Sequence, residues 1–217
     1  RECPAGCGVL AKNREGRVIK IEGNPLHPVN RGKLCMRGQA ALQAVYNPDR
    51  LKTPLVKDKN GFRKIGFAEA CALLKAKAWQ AAGRGAGRVR LLTEVVGDSQ
   101  MELFRAALKN WNSPGPVVFE PFAYEALKTA NREIFGVDGL VSYRMDEADV
   151  LISFGAEFLE TWLSPVEYAW KFKAMHAVRG NEKGRFLLVS PYQGLTGSNA
   201  DHWLACAPGS EAVVALG

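Results

Sequence analysis

Three cysteines constrain this chain more than any other feature: Cys3 and Cys7 in the run Arg1-Glu2-Cys3-Pro4-Ala5-Gly6-Cys7-Gly8, and Cys35 in Leu34-Cys35-Met36-Arg37-Gly38. Close cysteines in a Gly/Pro-rich loop let thiolates converge on one centre without helical or strand constraints, and a distant cysteine closes the site from the other side. Residues 1 to about 50 carry too little apolar surface for a core of their own, and segments of this kind need a metal or disulfide staple. A cubane cluster needs four ligands, of which three are visible. The fourth then lies off the chain, or the site is a three-ligand cluster, or the metal is zinc with His27 as fourth ligand beside the three cysteines. A disulfide with one free thiol is a further alternative, which an odd cysteine count fits poorly. Cys71, on an apolar helical stripe, and Cys206, in a late strand, carry no such signal and are expected to be buried.

Between the cysteines, the alternation in Val9-Leu10-Ala11 and Val18-Ile19-Lys20-Ile21 around Arg14-Glu15-Gly16 predicts a β-hairpin, followed by loop from Gly23 to Gly32. From about residue 64 helix and strand signals alternate. Phe67, Cys71, Leu74 and Ala78 fall at helical spacing, and Arg88–Thr93 reads as a strand. Phe104, Ala107, Leu108 and Trp111 make a second helical stripe, Pro116–Phe119 a strand, and Tyr124–Phe135 a helix closed by Gly136. Asp149–Phe154 is a buried-type strand, Pro165–Val178 a helix, and Arg185–Val189 and His202–Cys206 are strands. The expected fold class is α/β: a small β-rich iron–sulfur domain over residues 1–60, then a mostly parallel, Rossmann-like α/β sheet domain over 61–217. Ligands in such sheets sit at the carboxyl ends of the strands.

The composition, 47% hydrophobic and 24% charged over 217 residues, is that of a globular protein. The formal charge of +7 admits an anionic partner. Its lysines and arginines are scattered, with no basic run of five and no aromatic platform, so nucleic acid is not an expected partner. No apolar stretch approaches the ~18 residues that span a bilayer, so no transmembrane segment is expected. The chain begins inside its cysteine frame and stops at Gly217 in a young helix after Pro208-Gly209-Ser210, so it reads as the N-terminal part of a longer polypeptide.

The frame resembles the N-terminal iron–sulfur domain of the molybdopterin oxidoreductase (dimethyl sulfoxide reductase) family, whose four cysteines follow C-x2-C-x3-C-x27-C. Cys3, Cys7 and Cys35 take the second, third and fourth places with the right gaps. The resemblance implies a [4Fe-4S] cluster on these three, with the first ligand immediately before Arg1. It extends along the whole chain. Glu22-Gly23-Asn24-Pro25, His27 to Gly32, Tyr46 to Arg50 and Ser153 to Tyr168 are similar to a branch that serves respiratory quinone complexes, among them the large subunits of menaquinone reductase and of alternative complex III. Arg37, two residues after the last cysteine, matches the family's basic residue between cluster and pterin. Its role would be to donate hydrogen bonds toward the anionic cluster surroundings.

Several positions depart from the family. Molybdenum enzymes place a metal ligand before a helix that ends in Phe-Gly. Counting back from Phe135-Gly136, that place falls near Ala123, which cannot coordinate, nor can Phe122. Glu120 and Glu125 are near in sequence, but carboxylates at helix starts more often serve the helix dipole. Gly155-Ala156-Glu157 stands where Gly-x-Asn is common, Ser190-Pro191-Tyr192 where Asp-Pro-Arg is frequent, and Gly209-Ser210-Glu211 where Gly-Thr-Asp is frequent, although Glu211 can still serve as the acidic guanine contact of that place. A carboxylate facing a pyrophosphate at ~4 Å would cost roughly 4 kcal/mol at an effective dielectric of 20. The departures point to a domain that has kept the fold and lost the metal, so a molybdenum bis-pterin dinucleotide is not expected.

The resemblance thus implies an electron-transfer and scaffold subunit of a membrane-associated respiratory quinone oxidoreductase complex, without substrate chemistry in this chain. It implies as partners a multihaem cytochrome c, an iron–sulfur subunit and an integral membrane quinone-binding subunit. It also implies a location on the periplasmic side of the bacterial cytoplasmic membrane, peripheral through those partners. The alternatives are an active molybdenum or tungsten bis-pterin oxidoreductase acting on a small substrate, and a zinc-stapled module with no redox role.

Overall fold

The computed structural model describes residues 3–122 and 124–217. Arg1 and Glu2 of the cysteine frame, and Ala123, near which the place of a metal ligand is expected, lie outside the described residues. The elements run β1 (Val9–Arg14), β2 (Arg17–Gly23), α1 (Met36–Tyr46), β3 (Leu55–Asp58), β4 (Gly61–Lys64), α2 (Phe67–Ala82), β5 (Leu92–Thr93), α3 (Asp98–Lys109), β6 (Val117–Val118) and α4 (Glu125–Phe135). After a 3₁₀ turn at Met145–Glu147 come β7 (Val150–Phe154), α5 (Pro165–His176), β8 (Arg185–Ser190), α6 (Leu195–Ser198), β9 (His202–Ala205) and α7 (Glu211–Leu216). The fold is the expected mixture of a β-hairpin at the cysteine end and helices alternating with strands. No described helix is long and apolar enough to cross a membrane.

The chain divides into two compact units, one of Gln43–Leu140 and one that joins the residues up to Leu42 to Val141–Gly217. In the second unit the sheet order is β7-β8-β9, all parallel. α5 provides the crossover that a parallel β7–β8 pair requires. The central strand β8 is paired on both edges, and Phe186 and Leu188 are 0% exposed. Phe158, Phe172 and Phe186 meet in a triad with centroid separations of 5.3–5.6 Å. The other side of α5 holds Tyr143, Trp162 and Tyr168 in mutual contact. β7, expected to be buried, is instead an edge strand whose Val150, Ile152 and Phe154 are exposed. An apolar run specifies a strand, but only its place in the sheet order decides what covers it.

In the first unit β3 and β4 form a hairpin, and β5 pairs with β6 in parallel over two residues each. The strand expected over Arg88–Thr93 is thus confined to its last two residues. α4 ends as its sequence dictates: Gly136 adopts φ 68°, and its N–H returns to the Arg132 carbonyl. The helical stripe of α2 forms, yet only Ala78 of it is buried, and Phe67 is 76% exposed. Cys71 on this stripe is exposed rather than buried, and Cys206 is half-buried. Periodicity places residues on one face of a helix; it does not provide a partner for that face.

Candidate functional site

The β1–β2 hairpin delivers the chain at Gly23 into a loop that folds back over Cys7 and Gly8. The Asn24 N–H donates to the Gly8 carbonyl at 2.9 Å, and the N–H groups of His27 and Gly32 donate to the Asn24 carbonyl. Asn30, 0% exposed, ties the two segments. Its Oδ1 accepts from the Gly8 N–H at 3.0 Å, and its Nδ2 donates to the carbonyls of Gly8 and Lys33 at 2.9 and 2.7 Å. Two glycines make this approach possible. A Cβ on Gly8 would stand 2.5 Å from His27 Cδ2, and one on Gly23 would stand 2.4 Å from the Lys33 carbonyl oxygen.

Cys35 occupies the cap position of α1, its carbonyl accepting from the Gln39 N–H at 3.0 Å. The free N–H groups of a helix's first turn favour negative charge, which suits a thiolate there. Arg37 lies in that first turn and is exposed. Burial pushes the Cys7 thiol up, and the neighbouring charges of Cys3 and Cys35, and more weakly of Glu167, push it further, against one backbone hydrogen bond. The three cysteines therefore share one electrostatic neighbourhood, in which bringing three thiolates together is unfavourable until cations neutralise them.

All three are half-buried and free, so the disulfide alternative is not formed. His27 packs its ring on Gly8, but among the described residues no three His, Cys, Asp or Glu side chains are grouped to hold a single ion. Soft thiolate donors suit an iron–sulfur cluster, in which each thiolate binds a separate iron.

Helix α5 closes this centre from the other end of the sequence. Trp170 Nε1 donates to the Val29 carbonyl at 2.9 Å, and the Arg31 guanidinium lies 3.8 Å from the centroid of the Trp170 ring. One residue on, Lys171 donates to Glu167 Oε1 at 2.6 Å, to Ser142 Oγ at 2.6 Å and to the Tyr143 carbonyl at 2.9 Å. All three protons of its ammonium are used. The sequence marks none of these contacts as functional; only the block Ser153 to Tyr168, by its resemblance, touches this helix.

A second locus lies at the carboxyl ends of β7 and β8, where open α/β sheets bind ligands. Glu157 and Glu160 both approach Gly194, where a Cβ would meet their carboxylate oxygens at 3.0 and 2.9 Å, and Glu211 comes within 3.6 Å of a Cβ on Gly155. Burial raises the Glu157 carboxyl, with Thr196 opposing and the Glu160 charge adding to the rise. Glu157 and Glu160 present acidic oxygens at Gly194, not the basic donors that hold a pyrophosphate. Of the other acidic candidates, Glu120 accepts from the Phe122 N–H and Glu125 pairs with Lys128 at 2.7 Å, each within its own turn.

Residues 1–47, which hold this hairpin, loop and helix-capping cysteine, match the Molybdopterin oxidoreductase Fe4S4 domain. The chain is molybdopterin-oxidoreductase-like and carries a [4Fe-4S] cluster domain. More particularly, it is 30% identical over 219 residues to the menaquinone reductase, molybdopterin-binding-like subunit of Nitratidesulfovibrio vulgaris (strain Hildenborough), covering 99% of this chain and 31% of that protein. It is 25% identical over 227 residues to a formate dehydrogenase subunit alpha of Methanocaldococcus jannaschii, covering 96% of this chain and 30% of that one. The acetylene hydratase from Pelobacter acetylenicus shares the fold, with a TM-score of 0.64 at 17% identity over 94% of this chain and 28% of its own. The chain thus spans about a third of the length of the curated relatives it matches.

Proposed function

We propose that this chain belongs to an electron-transfer and scaffold subunit of a membrane-associated respiratory quinone oxidoreductase complex, and that it relays electrons through one [4Fe-4S] cluster. The observation that carries the reading is the centre itself: Cys3 and Cys7 on a loop latched by Asn30, Cys35 at the cap of α1, and mutual electrostatic coupling at Cys7. Cys3, Cys7 and Cys35 would hold the cluster, together with the first cysteine of the family's frame. When bound, the cluster accepts and releases single electrons. The chain's own residues hold the thiolates in place, and Arg37 donates toward the cluster surroundings.

The carboxylates at the strand ends support a molybdenum site that has been lost. Glu157 and Glu160 stand against Gly194, beyond the end of β8, where basic or amide donors would suit a pyrophosphate. The similarity to a menaquinone reductase subunit supports the quinone complex as the setting. Its partners are then a multihaem cytochrome c, an iron–sulfur subunit and an integral membrane quinone-binding subunit, on the periplasmic side of the membrane. The similarity to a formate dehydrogenase subunit favours a second reading, a working molybdenum or tungsten oxidoreductase.

Metal analysis combined with electron paramagnetic resonance of the intact complex separates the two. The first reading expects iron and a reducible cluster signal without stoichiometric molybdenum or tungsten. A stoichiometric amount of either metal, with extractable pterin dinucleotide, would overturn it in favour of the second.

A further inference from the structure

The loop between the β1–β2 hairpin and α1 has little apolar packing of its own: Leu26 is 91% exposed. It also holds Arg31 at φ 42°, in the left-handed region that glycine enters readily and arginine does not. Such a conformation persists where surrounding contacts over-determine it. Those contacts come from α5, 141 positions beyond Val29. The Trp170 indole N–H donates to the Val29 carbonyl at 2.9 Å, and the Arg31 guanidinium lies over the same ring, 3.8 Å from its centroid. Trp170 therefore grips both chain neighbours of Asn30. Between them Asn30, 0% exposed, bonds both backbone groups of Gly8, the residue that follows Cys7, and the Lys33 carbonyl. To the aromatic triad of its unit α5 contributes Phe172, so the indole is free to serve the loop.

We propose that Trp170 is a positioning residue for the cluster: its indole fixes Val29 and Arg31, these set Asn30, and Asn30 sets the backbone that leaves Cys7. The inference rests on the cluster reading above. Its consequence is that the segment expected to form an iron–sulfur domain, residues 1–60, does not secure the cluster by itself; the loop keeps its shape only while α5 is docked on it. The two halves of the grip differ in chemistry. The indole hydrogen bond satisfies the carbonyl of half-buried Val29, which would otherwise lose its partner. The cation–π contact tethers the Arg31 side chain and so favours the left-handed turn at its backbone. Local opening of the loop releases Asn30 from Gly8 and leaves the Cys7 backbone unfixed, and iron is then lost from the open form.

The test uses the full-length protein within its complex and reads three quantities: the rate of iron loss to a chelator, the line shape of the reduced cluster's paramagnetic signal, and amide exchange across β7, β8 and β9. Trp170→Phe, which keeps a ring under Arg31 but removes the N–H donor, should speed iron loss roughly fivefold, the equivalent of one net hydrogen bond. Trp170→Leu removes both contacts and should speed it further and broaden the signal, because the Cys7 backbone then samples several positions. Arg31→Gln should speed iron loss, and Arg31→Lys, which keeps a cation over the ring, should restore the wild-type rate. Exchange in the three strands should stay at its wild-type level throughout. An unchanged rate and line shape in Trp170→Leu overturns the proposal. Faster iron loss accompanied by lost protection in the strands overturns it too, because Trp170 is then a general packing residue. Absence of any cluster signal in the wild-type protein would instead overturn the reading on which the proposal rests.

Discussion

Asn30 illustrates how a single side chain can hold a metal loop that has little core. Its amide satisfies the Gly8 N–H and the Lys33 carbonyl in a place closed to water. Removing it strands a buried donor and acceptor, which costs more than a net hydrogen bond. Asn30→Ala should therefore lower stability by about 1–3 kcal/mol and reduce iron occupancy, read by denaturant titration and metal analysis. Asp201 performs a comparable task at the opposite edge of the sheet. It accepts from the Phe186 N–H at 2.8 Å, from Lys183 at 2.5 Å and pairs with His176 at 2.9 Å. Burial alone would raise its carboxyl, but these hydrogen bonds and the His176 charge hold it well below the ordinary carboxylate range. A carboxyl depressed in the folded state adds stability above its unfolded pKa and loses it as the pH falls toward the folded value. The advantage of wild type over Asp201→Asn, roughly 2 kcal/mol for charged hydrogen bonds, should hold above about pH 5 and shrink below about pH 4. Thermal melts of the two proteins across that range check the sign. Neither residue was singled out by the sequence, because a buried Asn and a surface Asn are the same letter until the loop closes around it.

At the level of elements, α5 is the hub of its unit. One face inserts Phe172 between Phe158 and Phe186, while Trp170 and Lys171 reach the cysteine loop and the Ser142–Tyr143 segment. Phe186→Ala would remove one ring of the aromatic triad and should cost about 3–5 kcal/mol, with the loss visible in chemical denaturation. Gly136 is simpler. Its positive φ suits glycine, and Gly136→Ala should destabilise the α4 end by about 1 kcal/mol. The order of elements was largely legible: the hairpin around Arg14-Glu15-Gly16, the helix closed by Gly136 and the three strands after residue 149 all come from period and punctuation. α1 and the β3–β4 hairpin were not anticipated. α1 follows directly on the cysteine loop and has no buried residue, so its apolar pattern is weak. The exposed stripe of α2 marks the converse limit.

For the molecule as a whole, the grouping of the cysteine segment with Val141–Gly217 is the feature with most functional content. It predicts that iron removal acts locally. Chelation or oxidative loss of the cluster should raise amide exchange across residues 3–42, while the β7-β8-β9 strands keep their protection, since their core is aromatic and independent of metal. Hydrogen-exchange mass spectrometry of loaded and stripped protein measures this, and a sheet that loses protection together with the loop would refute it. By itself the sequence determined the cysteine frame and the α/β alternation, because ligand spacing and hydrophobic period are properties of a linear string. Only the tertiary structure decided that Trp170 of α5 meets Val29 and Arg31 of the loop after the hairpin, and that Glu157 and Glu160 both stand against Gly194. The partners in each contact lie on segments apart in the chain, and what a charge does depends on the distance and burial that packing imposes.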